Sequence, residues 1–246
     1  MSHQLPCALL PVPIAIPHIT SVTRNSTFEY YGPVQSSLAS KASKFLATIS
    51  DVVESEVIST IESFILATKN DCIGGAEEKK ACWLTIRATK PTDAFEVPRW
   101  HQDGRMFPYD EGRGEVVRSK YALTLLGPTT LMLEPNAHAF DIFQKGEAQY
   151  YWWRGPNGPE PTEEDMDRAD SELRDWLADK LKEAIRVRVN GGEVLRFSWG
   201  RDDSPVHSEP DLISDRVFMT VLYGSESELR GMCDWRNAEY GKFDWQ

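Results

Sequence analysis

Apolar residues in the first third of the chain recur at intervals of three and four positions. From Gln35 to about Thr68 they fit a 3.6-residue period, which is typical of amphipathic helix. Asn70 and Gly74-Gly75 end the pattern. We therefore expect a helical N-terminal part over about residues 35–70, split into two helices. The spaced apolar set is Leu38, Phe45, Leu46, Ile49, Val52, Val53, Val57, Ile61, Phe64 and Ile65.

From Ala81 onward the pattern changes to short apolar runs with β-like texture. Turn residues separate these runs, as at Gly127-Pro128 and Asn190-Gly191-Gly192. Many short strands favour a sandwich or a barrel. The predicted strands are Cys82–Ala88, Ser119–Leu126, Thr129–Leu133, Ile185–Val189, Glu193–Trp199 and Val217–Tyr223.

One helix is expected to interrupt these strands. Thr162 can cap it, with Asp165 three residues later, and acidic residues fill its first turn. Its apolar side comprises Leu173, Trp176, Leu177, Leu181 and Ile185. The whole pattern predicts a mainly β protein with flanking helices, and a double-stranded β-helix (jelly roll, cupin-like) core over about residues 81–224 fits it.

Length and charge narrow the functional classes. With 246 residues, 41% of them apolar, the chain can bury a sizeable core, and its length favours a single domain over residues 1–246. A net charge of −11 argues against nucleic acids and anionic membranes, since both need clustered Lys and Arg. We expect a small-molecule substrate as the partner, and the oligomeric state stays open.

The cysteines and the N-terminus bear on location. The four cysteines form no CxxC pair, so we expect reduced, mostly buried thiols; they are Cys7, Cys72, Cys82 and Cys233. The apolar opening stretch lacks a basic start and is broken by prolines, which argues against a targeting signal. No run of about 18 apolar residues occurs that could span a membrane. These features predict a cytoplasmic protein.

A candidate metal site begins with His101 and Asp103. On an extended strand, side chains two residues apart point to the same face. His207 follows the predicted strand Glu193–Trp199 and can supply a third ligand. Two imidazoles and one carboxylate leave other coordination positions open, as ferrous oxygenases require. The pair alone is weak, because roughly 0.8 such matches arise by chance and His207-Ser208-Glu209 is another.

Arg216 lies nine residues after His207, at the head of an alternating strand. A guanidinium fork can hold a carboxylate through two hydrogen bonds, so Arg216 can grip the far end of 2-oxoglutarate. The alternative is a surface arginine paired with Asp211 or Asp215. The order and spacing of the histidines, the aspartate and Arg216 favour the anchor role.

Together these residues resemble the Fe(II)/2-oxoglutarate-dependent dioxygenases, a family of non-haem iron oxygenases. The likeness covers roughly residues 81–224 and rests on the HxD, the Gly192–Phe197 strand, a distal histidine and a final-strand arginine. It implies that His101, Asp103 and His207 are the catalytic residues that hold Fe(II), and that Arg216 binds 2-oxoglutarate. It also implies oxidation of an unactivated C–H bond by O₂, with release of succinate and CO₂.

The resemblance leaves the second contact to 2-oxoglutarate open. Residues Gly127–Leu131 resemble the stretch after the HxD in taurine dioxygenase-like members, where a threonine touches the co-substrate carboxylate. Thr130 is the position we expect, and Lys120 is its rival because some members use a lysine on the equivalent strand. Phe218 departs from the Arg-x-Ser pattern of plant-type members, which leaves the subfamily open.

Several alternatives remain at this stage. His138 could replace His207 as a ligand, although no arginine follows it at a comparable distance. The aromatic block at residues 150–154 could form a lid, and Trp100 and Phe107 could line the pocket, but ordinary packing is the simpler interpretation. The substrate is expected to be small and polar, such as an amino acid or a specialised metabolite, and hydroxylation, desaturation and ring closure are all compatible. Rival functions are a cupin-like metal-binding module without turnover and a dioxygenase that needs no keto acid.

Overall fold

The structure is a computed structural model that describes residues 5–73, 75–104, 118–155, 158–200 and 203–246. Its helices are α1 (Ser37–Ile49), α2 (Glu54–Asp71), α3 (Ala137–Tyr150), α4 (Glu163–Lys180) and α5 (Glu226–Tyr240). Its strands are β1 (Cys7–Leu9), β2 (Ser26–Pro33), β3 (Ala81–Thr89), β4 (Arg118–Leu126), β5 (Leu131–Leu133), β6 (Arg186–Val187), β7 (Leu195–Trp199), β8 (His207–Ser208) and β9 (Arg216–Gly224). The described chain is a mostly antiparallel β-structure with flanking helices.

The strands form two sheets. The large sheet has the order β1-β7-β4-β9-β3-β2, and the small sheet has the order β6-β5-β8. Neighbouring strands run antiparallel in both. His101 adds a single bridging residue beside β8, where it pairs with His207. The small sheet is thereby extended by the segment that carries the HxD.

The large sheet has two chemically different faces, which β9 illustrates. Successive side chains along a strand point to opposite faces. On β9, Val217, Met219, Val221 and Tyr223 belong to the apolar core that contains α1 and α2. The intervening residues Arg216, Phe218 and Thr220 line a cavity instead. One face is therefore a helix-covered core, and the other is available for a site.

Most of the predicted elements are confirmed. The helical stretch divides into α1 and α2, and each predicted strand overlaps an observed strand. The helix predicted from Thr162 is α4, which begins with a capping box between Thr162 and Asp165. It ends at Lys180, however, so the prediction that Ile185 lies on its apolar side is wrong: Ile185 is 68% exposed.

The prediction of one helix among the strands is also wrong, because α3 precedes α4. The Asn136 side chain accepts a hydrogen bond from the Ala139 backbone at 2.9 Å and thus caps α3. Gly146 lets α3 approach α4 closely, since a Cβ there would lie 2.8 Å from Leu173 and 2.9 Å from Trp176. The turn residues at 134–136 indicated a loop, but in the structure they directly precede this helix, and Asn136 is its N-cap. Strands β1 and β2 and helix α5 were not predicted from the sequence either.

The state of the cysteines and the character of the helices can be compared with the sequence-based expectations. All four cysteines are free; Cys72, Cys82 and Cys233 are buried, and Cys7 is half-buried. Burial raises the pKa of Cys82 to about 12, which keeps that thiol protonated and unreactive at neutral pH. Within the described residues, no helix has the length and apolar character needed to cross a membrane.

Candidate metal centre and its cavity

Two histidines face each other across neighbouring chain segments. The backbone N–H of His101 donates to the His207 carbonyl, and the His207 N–H donates to the His101 carbonyl, both at 2.9 Å. Residues directly opposite in an antiparallel pair project their side chains to the same side. The imidazole centroids are accordingly 4.3 Å apart. The pairing of the two segments therefore brings together residues that are distant in sequence.

Asp103 completes the cluster from a bend rather than from a strand. The expectation of an extended strand through residues 101–103 holds only at His101, because Asp103 lies where the chain turns. Its backbone carbonyl accepts a hydrogen bond from Gly200 N–H at 2.9 Å. Gly104 follows with φ +88°, and a Cβ there would lie 2.5 Å from the Gly200 nitrogen. This close backbone approach fixes the aspartate against the strand end at residue 199.

The three side chains converge in the described chain. His101 Nε2 lies 3.7 Å from Asp103 Oδ1, and His207 Nε2 lies 3.5 Å from Asp103 Oδ2. One donor atom from each residue falls within 4.8 Å of the others. Asp103 and His207 are buried and His101 is half-buried. The geometry thus assembles a compact three-donor set that the sequence only suggested.

Backbone carbonyls set the tautomer of both imidazoles. His101 Nδ1 lies 2.8 Å from the Arg99 carbonyl, and His207 Nδ1 lies 3.1 Å from the Pro205 carbonyl. A carbonyl oxygen can only accept, so each Nδ1 carries a proton, and a ring in this tautomer presents its Nε2 lone pair. Burial lowers the pKa of His101 to about 4, so this lone pair is free at neutral pH. Such support of ligand histidines is typical of metal sites.

Lys120 on β4 neutralises the aspartate. Its Nζ donates to Asp103 Oδ2 at 2.6 Å, and both side chains are largely buried. Burial by itself would raise the pKa of Asp103, but Lys120 and the two histidines outweigh it and hold that pKa well below its usual range. The ammonium also lies 5.1 Å from the Trp199 ring and 5.8 Å from the Phe197 ring. Asp103 is therefore an ionised carboxylate in the folded chain.

The donor set fits a divalent transition metal. Neutral imidazole nitrogens suit iron, zinc and copper, and a facial arrangement of two histidines and one carboxylate suits ferrous iron in particular. The three donors face one side of a cavity, so other coordination positions can be filled from that cavity. A bound cation would also neutralise Asp103, the role that Lys120 fills in this structure.

Arg216 and Thr130 meet at another part of the cavity. Arg216 is 6% exposed; its Nε donates to the Pro128 carbonyl at 2.9 Å, and its Nη2 donates to Thr130 Oγ1 at 3.1 Å. The guanidinium lies 4.2 Å above the Phe218 ring. Burial lowers the pKa of Arg216 to about 10, which leaves the side chain charged at neutral pH.

Neither acidic residue that could have paired with Arg216 on the surface does so. Asp215 pairs with Lys90 at 2.8 Å, and Asp211 is exposed. Among the described residues, none places a carboxylate within 4.0 Å of the Arg216 guanidinium. Thr130 and Lys120, the two candidates for a second contact to 2-oxoglutarate, have different partners: Thr130 contacts Arg216, whereas Lys120 contacts Asp103.

A cavity of about 260 Å³ unites these groups. Its walls come from the inner face of the large sheet, from the small sheet and from α5. The lining includes several residues that sequence reasoning did not single out, namely Trp83, Thr85, Arg87, Arg99, Glu209, Thr220, Arg236 and Tyr240. On β3 the period-2 spacing of Trp83, Thr85 and Arg87 was a usable signal. No local motif marks the α5 residues.

The other candidates lie outside this cavity or outside the described chain. His138 is exposed in the first turn of α3 and is not part of the cluster. In the aromatic block, Tyr150 packs against Trp176 of α4 at 6.2 Å, and Tyr151 donates to Asp170. Trp100 is buried in the α3–α4 core, and Phe107 lies outside the described residues.

Comparisons with known proteins give weak structural likenesses. A prolyl-4-hydroxylase from Pseudomonas putida matches with a TM-score of 0.34 and 13% identity, covering 82% of this chain and 74% of that protein. A prolyl hydroxylase from Trichoplax adhaerens, solved with a hypoxia inducible factor oxygen degradation domain peptide fragment, matches with a TM-score of 0.32 and 12% identity. That second match covers 85% of this chain and 68% of the other. No protein-family model and no curated protein sequence matches the chain. Likenesses of this size carry no weight for activity, which has to be inferred from the cavity itself.

Proposed function

We propose that this chain is an Fe(II)- and 2-oxoglutarate-dependent oxygenase that oxidises an unactivated C–H bond of a small polar molecule. The observation that carries the proposal is one cavity that holds both a two-histidine, one-carboxylate cluster and a buried arginine without a carboxylate partner among the described residues. Hydroxylation, desaturation and ring closure are all open to such a site.

The strand order supports a double-stranded β-helix, the fold that we propose for this core. Successive strands along the chain alternate between the two sheets: β3 is in the large sheet, His101 pairs beside the small sheet, β4 is in the large sheet and β5 is in the small sheet. After β6 the alternation continues through β7, β8 and β9. A jelly roll wraps its chain between two facing sheets in this manner. We also propose that residues 1–246 act as one domain.

His101, Asp103 and His207 would hold the iron through the two Nε2 atoms and the Asp103 carboxylate. Bound Fe(II), together with 2-oxoglutarate and O₂, supplies the oxidation, in which the keto acid leaves as succinate and CO₂. The backbone carbonyls at residues 99 and 205 keep the two rings in the required tautomer. These contacts mean that the two imidazole rings need little reorganisation to bind a metal.

Arg216 would hold the distal carboxylate of 2-oxoglutarate. Its Nε and one N–H of Nη2 are used by Pro128 and Thr130, which leaves the Nη1–Nη2 edge for two parallel hydrogen bonds. Thr130 Oγ1 accepts from Arg216 and still has its own proton to donate to the same carboxylate. The two residues therefore form one preorganised anion site.

The remaining work of the protein is positioning and the exclusion of water. The buried rings of Trp83, Phe197 and Trp199 give the cavity apolar walls next to the metal donors. Such walls limit solvent access and hold a small substrate near the reacting centre. The volume of about 260 Å³ lies below the ~300–1,000 Å³ of drug-sized sites, which favours a small substrate.

Anaerobic addition of Fe(II) and 2-oxoglutarate tests this function directly. A weak visible charge-transfer band is expected for the unaltered chain and for His138→Ala, because His138 is exposed on α3. The band should disappear in His101→Ala together with tight metal binding. A band that survives in His101→Ala, or one that never forms in the unaltered chain, would remove the basis of the proposal.

The Lys120–Asp103 ion pair favours one competing function, a cupin-like binding module without turnover. A buried carboxylate that already has a cation at 2.6 Å does not require a metal for neutralisation. Succinate release measured across a panel of amino acids and small acids separates the two functions. A binding module releases no succinate with any of them, whereas an oxygenase releases it with its substrate.

A further inference from the structure

Arg236 is a buried cation in the cavity wall that the metal cluster and the 2-oxoglutarate anchor do not use. It lies on α5, is 9% exposed and lines the cavity. Its guanidinium stacks 4.4 Å from the Trp83 ring and 4.0 Å from the Phe243 ring. Its Nη1 donates to the Tyr31 hydroxyl at 2.7 Å. Aromatic packing thus holds the group in place without neutralising its charge.

The guanidinium of Arg236 lacks an anionic partner within the described chain. No carboxylate oxygen of a described residue lies within 4.0 Å of it, and its buried Nε has no hydrogen-bond partner there. Glu29 on the adjacent β2 accepts instead from Trp83 Nε1 at 2.6 Å and from Thr85 Oγ1 at 2.8 Å. Because a buried, unpaired charge is unfavourable, an anionic ligand at Arg236 would be stabilising.

The described residues that line the cavity carry an excess of positive charge. Two of its cations are paired, Lys120 with Asp103 at 2.6 Å and Arg99 with Glu209 at 2.7 Å. Among the described lining residues, the other cations are Arg87, Arg216 and Arg236, and the acidic ones are Asp103 and Glu209 alone. The chain carries a net charge of −11, so this local excess runs against its composition. Fe(II) and the dianion 2-oxoglutarate would cancel each other and leave the excess in place.

Arg236 and Arg216 reach the cavity from different parts of the sheet. Arg236 stacks on Trp83, which pairs with Leu222 near the end of β9. Arg216 begins β9, and its guanidinium contacts Thr130 beside the β5–β8 pair that carries His207. One small carboxylate cannot occupy both sites, so 2-oxoglutarate at Arg216 leaves Arg236 free for a second anion.

We propose that Arg236 binds a carboxylate of the substrate, and hence that the substrate is a small organic acid. This inference rests on the proposed function and names the substrate class for the same site. Tyr240, four residues later on the same side of α5, lines the cavity at its exposed edge and borders the position of the acid. Trp83 contacts both Arg236 and Lys120, at 4.4 Å and 5.6 Å from its ring centre, so an acid at Arg236 lies near the metal donors.

Thermal midpoints with paired probes test this inference. The full chain is loaded with Fe(II) and 2-oxoglutarate under argon and titrated with amino acids and short carboxylic acids, each beside its primary amide. A ligand that binds the native state raises the midpoint. At least one acid should raise it while its amide does not. A panel in which no acid exceeds its amide overturns the inference.

Variants of two arginines on one helix locate the effect. Arg236→Gln should weaken binding of the selected acid by about 10- to 100-fold, because a charge-assisted hydrogen bond is lost, and should leave the amide unchanged. Arg236→Lys keeps the charge and should recover part of the affinity. Arg230→Gln is the matched control. Arg230 is exposed, its guanidinium lies 4.3 Å from the Trp245 ring, and it is not among the described residues that line the cavity. An undiminished acid preference in Arg236→Gln contradicts the inference, and the preference of the unaltered chain tests it even if that variant does not fold.

The same samples separate this inference from the proposed function. The charge-transfer band reports whether Fe(II) and 2-oxoglutarate bind, independently of the second acid. A normal band without any acid preference overturns the role of Arg236 alone. An acid preference that depends on Arg236 but occurs without a band leaves an acid-binding site and removes the oxygenase.

Discussion

The two faces of the large sheet differ in role: one packs against helices in the apolar core, and the other lines the cavity that holds the candidate site. The outer face of β9 presents Val217, Met219 and Val221 to α1 and α2, and all three are at most 1% exposed. The inner face of the same strand presents Arg216, Phe218 and Thr220 to the cavity. One strand therefore serves a core and a site at once, because alternate side chains point in opposite directions.

The difference lies in how each face satisfies its buried groups. The outer face gains free energy by removing apolar surface from water. The inner face buries charged groups, which is favourable only where partners compensate them, as Lys120 compensates Asp103. Changes on the outer face should therefore act on folding, and changes on the inner face should act on ligand binding, except where a buried charge loses its partner.

The largest expected effect comes from Lys120→Met. Without metal, this variant leaves Asp103 buried and unpaired, and we expect the free energy of unfolding to fall by about 3–5 kcal/mol. Mn(II), used as a redox-stable probe, should raise the thermal midpoint more in this variant than in the unaltered chain, because the metal takes over the neutralising role. Lys145→Met is the control, since the Lys145–Asp141 pair is exposed and contributes little. A variant that Mn(II) does not rescue would argue against Asp103 as a ligand.

The second prediction compares the loss of folding stability caused by substitutions at two adjacent residues of β9 that point to opposite faces of the sheet. Met219→Ala should lower the free energy of unfolding by about 2–5 kcal/mol, because it opens a space in a fully buried core. Thr220→Ala changes the cavity face and should cost less than about 1 kcal/mol. Denaturant unfolding of both variants measures the contrast. Equal losses at the two positions would show that the faces are not energetically distinct.

Arg216→Leu should act on the keto acid more than on folding. Loss of a bidentate hydrogen bond to a carboxylate is worth about 2–3 kcal/mol, so the 2-oxoglutarate concentration needed for half-maximal succinate release should rise roughly 100-fold. Arg216→Lys should recover part of this loss, since it restores a point charge without the fork. O₂ consumption that persists in Arg216→Leu without keto acid would instead identify a dioxygenase that needs none.

The smallest effect is expected at Thr130. Thr130→Val removes the hydroxyl that accepts from Arg216, and we expect a several-fold weaker 2-oxoglutarate affinity, about 1 kcal/mol. Thr129→Val is the neighbouring control, because Thr129 donates to the Val189 carbonyl rather than to Arg216. Titration of the charge-transfer band measures both. The same affinity in the two variants would leave Arg216 as the sole contact.

The elements that could be predicted are those with strong local signals. The 3.6-residue spacing marked α1 and α2, and the Thr162 cap with its acidic first turn marked α4. Short β-like apolar runs marked β3 and β4, and an alternating pattern marked β9. Helix α3 was missed because its buried side consists of only Ala139, Phe143 and Gly146, and a glycine within a helix is a poor local signal.

The candidate site was predictable only as a list of residues in order. His101, Asp103, His207 and Arg216 could be chosen from their spacing, but each was individually close to chance or open to a simpler interpretation. Which of Thr130 and Lys120 lies beside Arg216 could not be predicted from the sequence, because that contact joins side chains of two different sheets. Arg236 carried no signal, since its contact with Trp83 depends on how α5 packs against the large sheet.

Local patterns along the chain specify the β-rich core, its main helices and the residue types able to hold a metal, because periodicity and residue chemistry are local properties. Contacts between distant segments specify which of these residues meet. The pairing of His101 with His207, the close approach of Gly104 to Gly200 and the packing of α5 on Trp83 are contacts between distant segments. Their free energies depend on the whole packed core, so no local pattern encodes them.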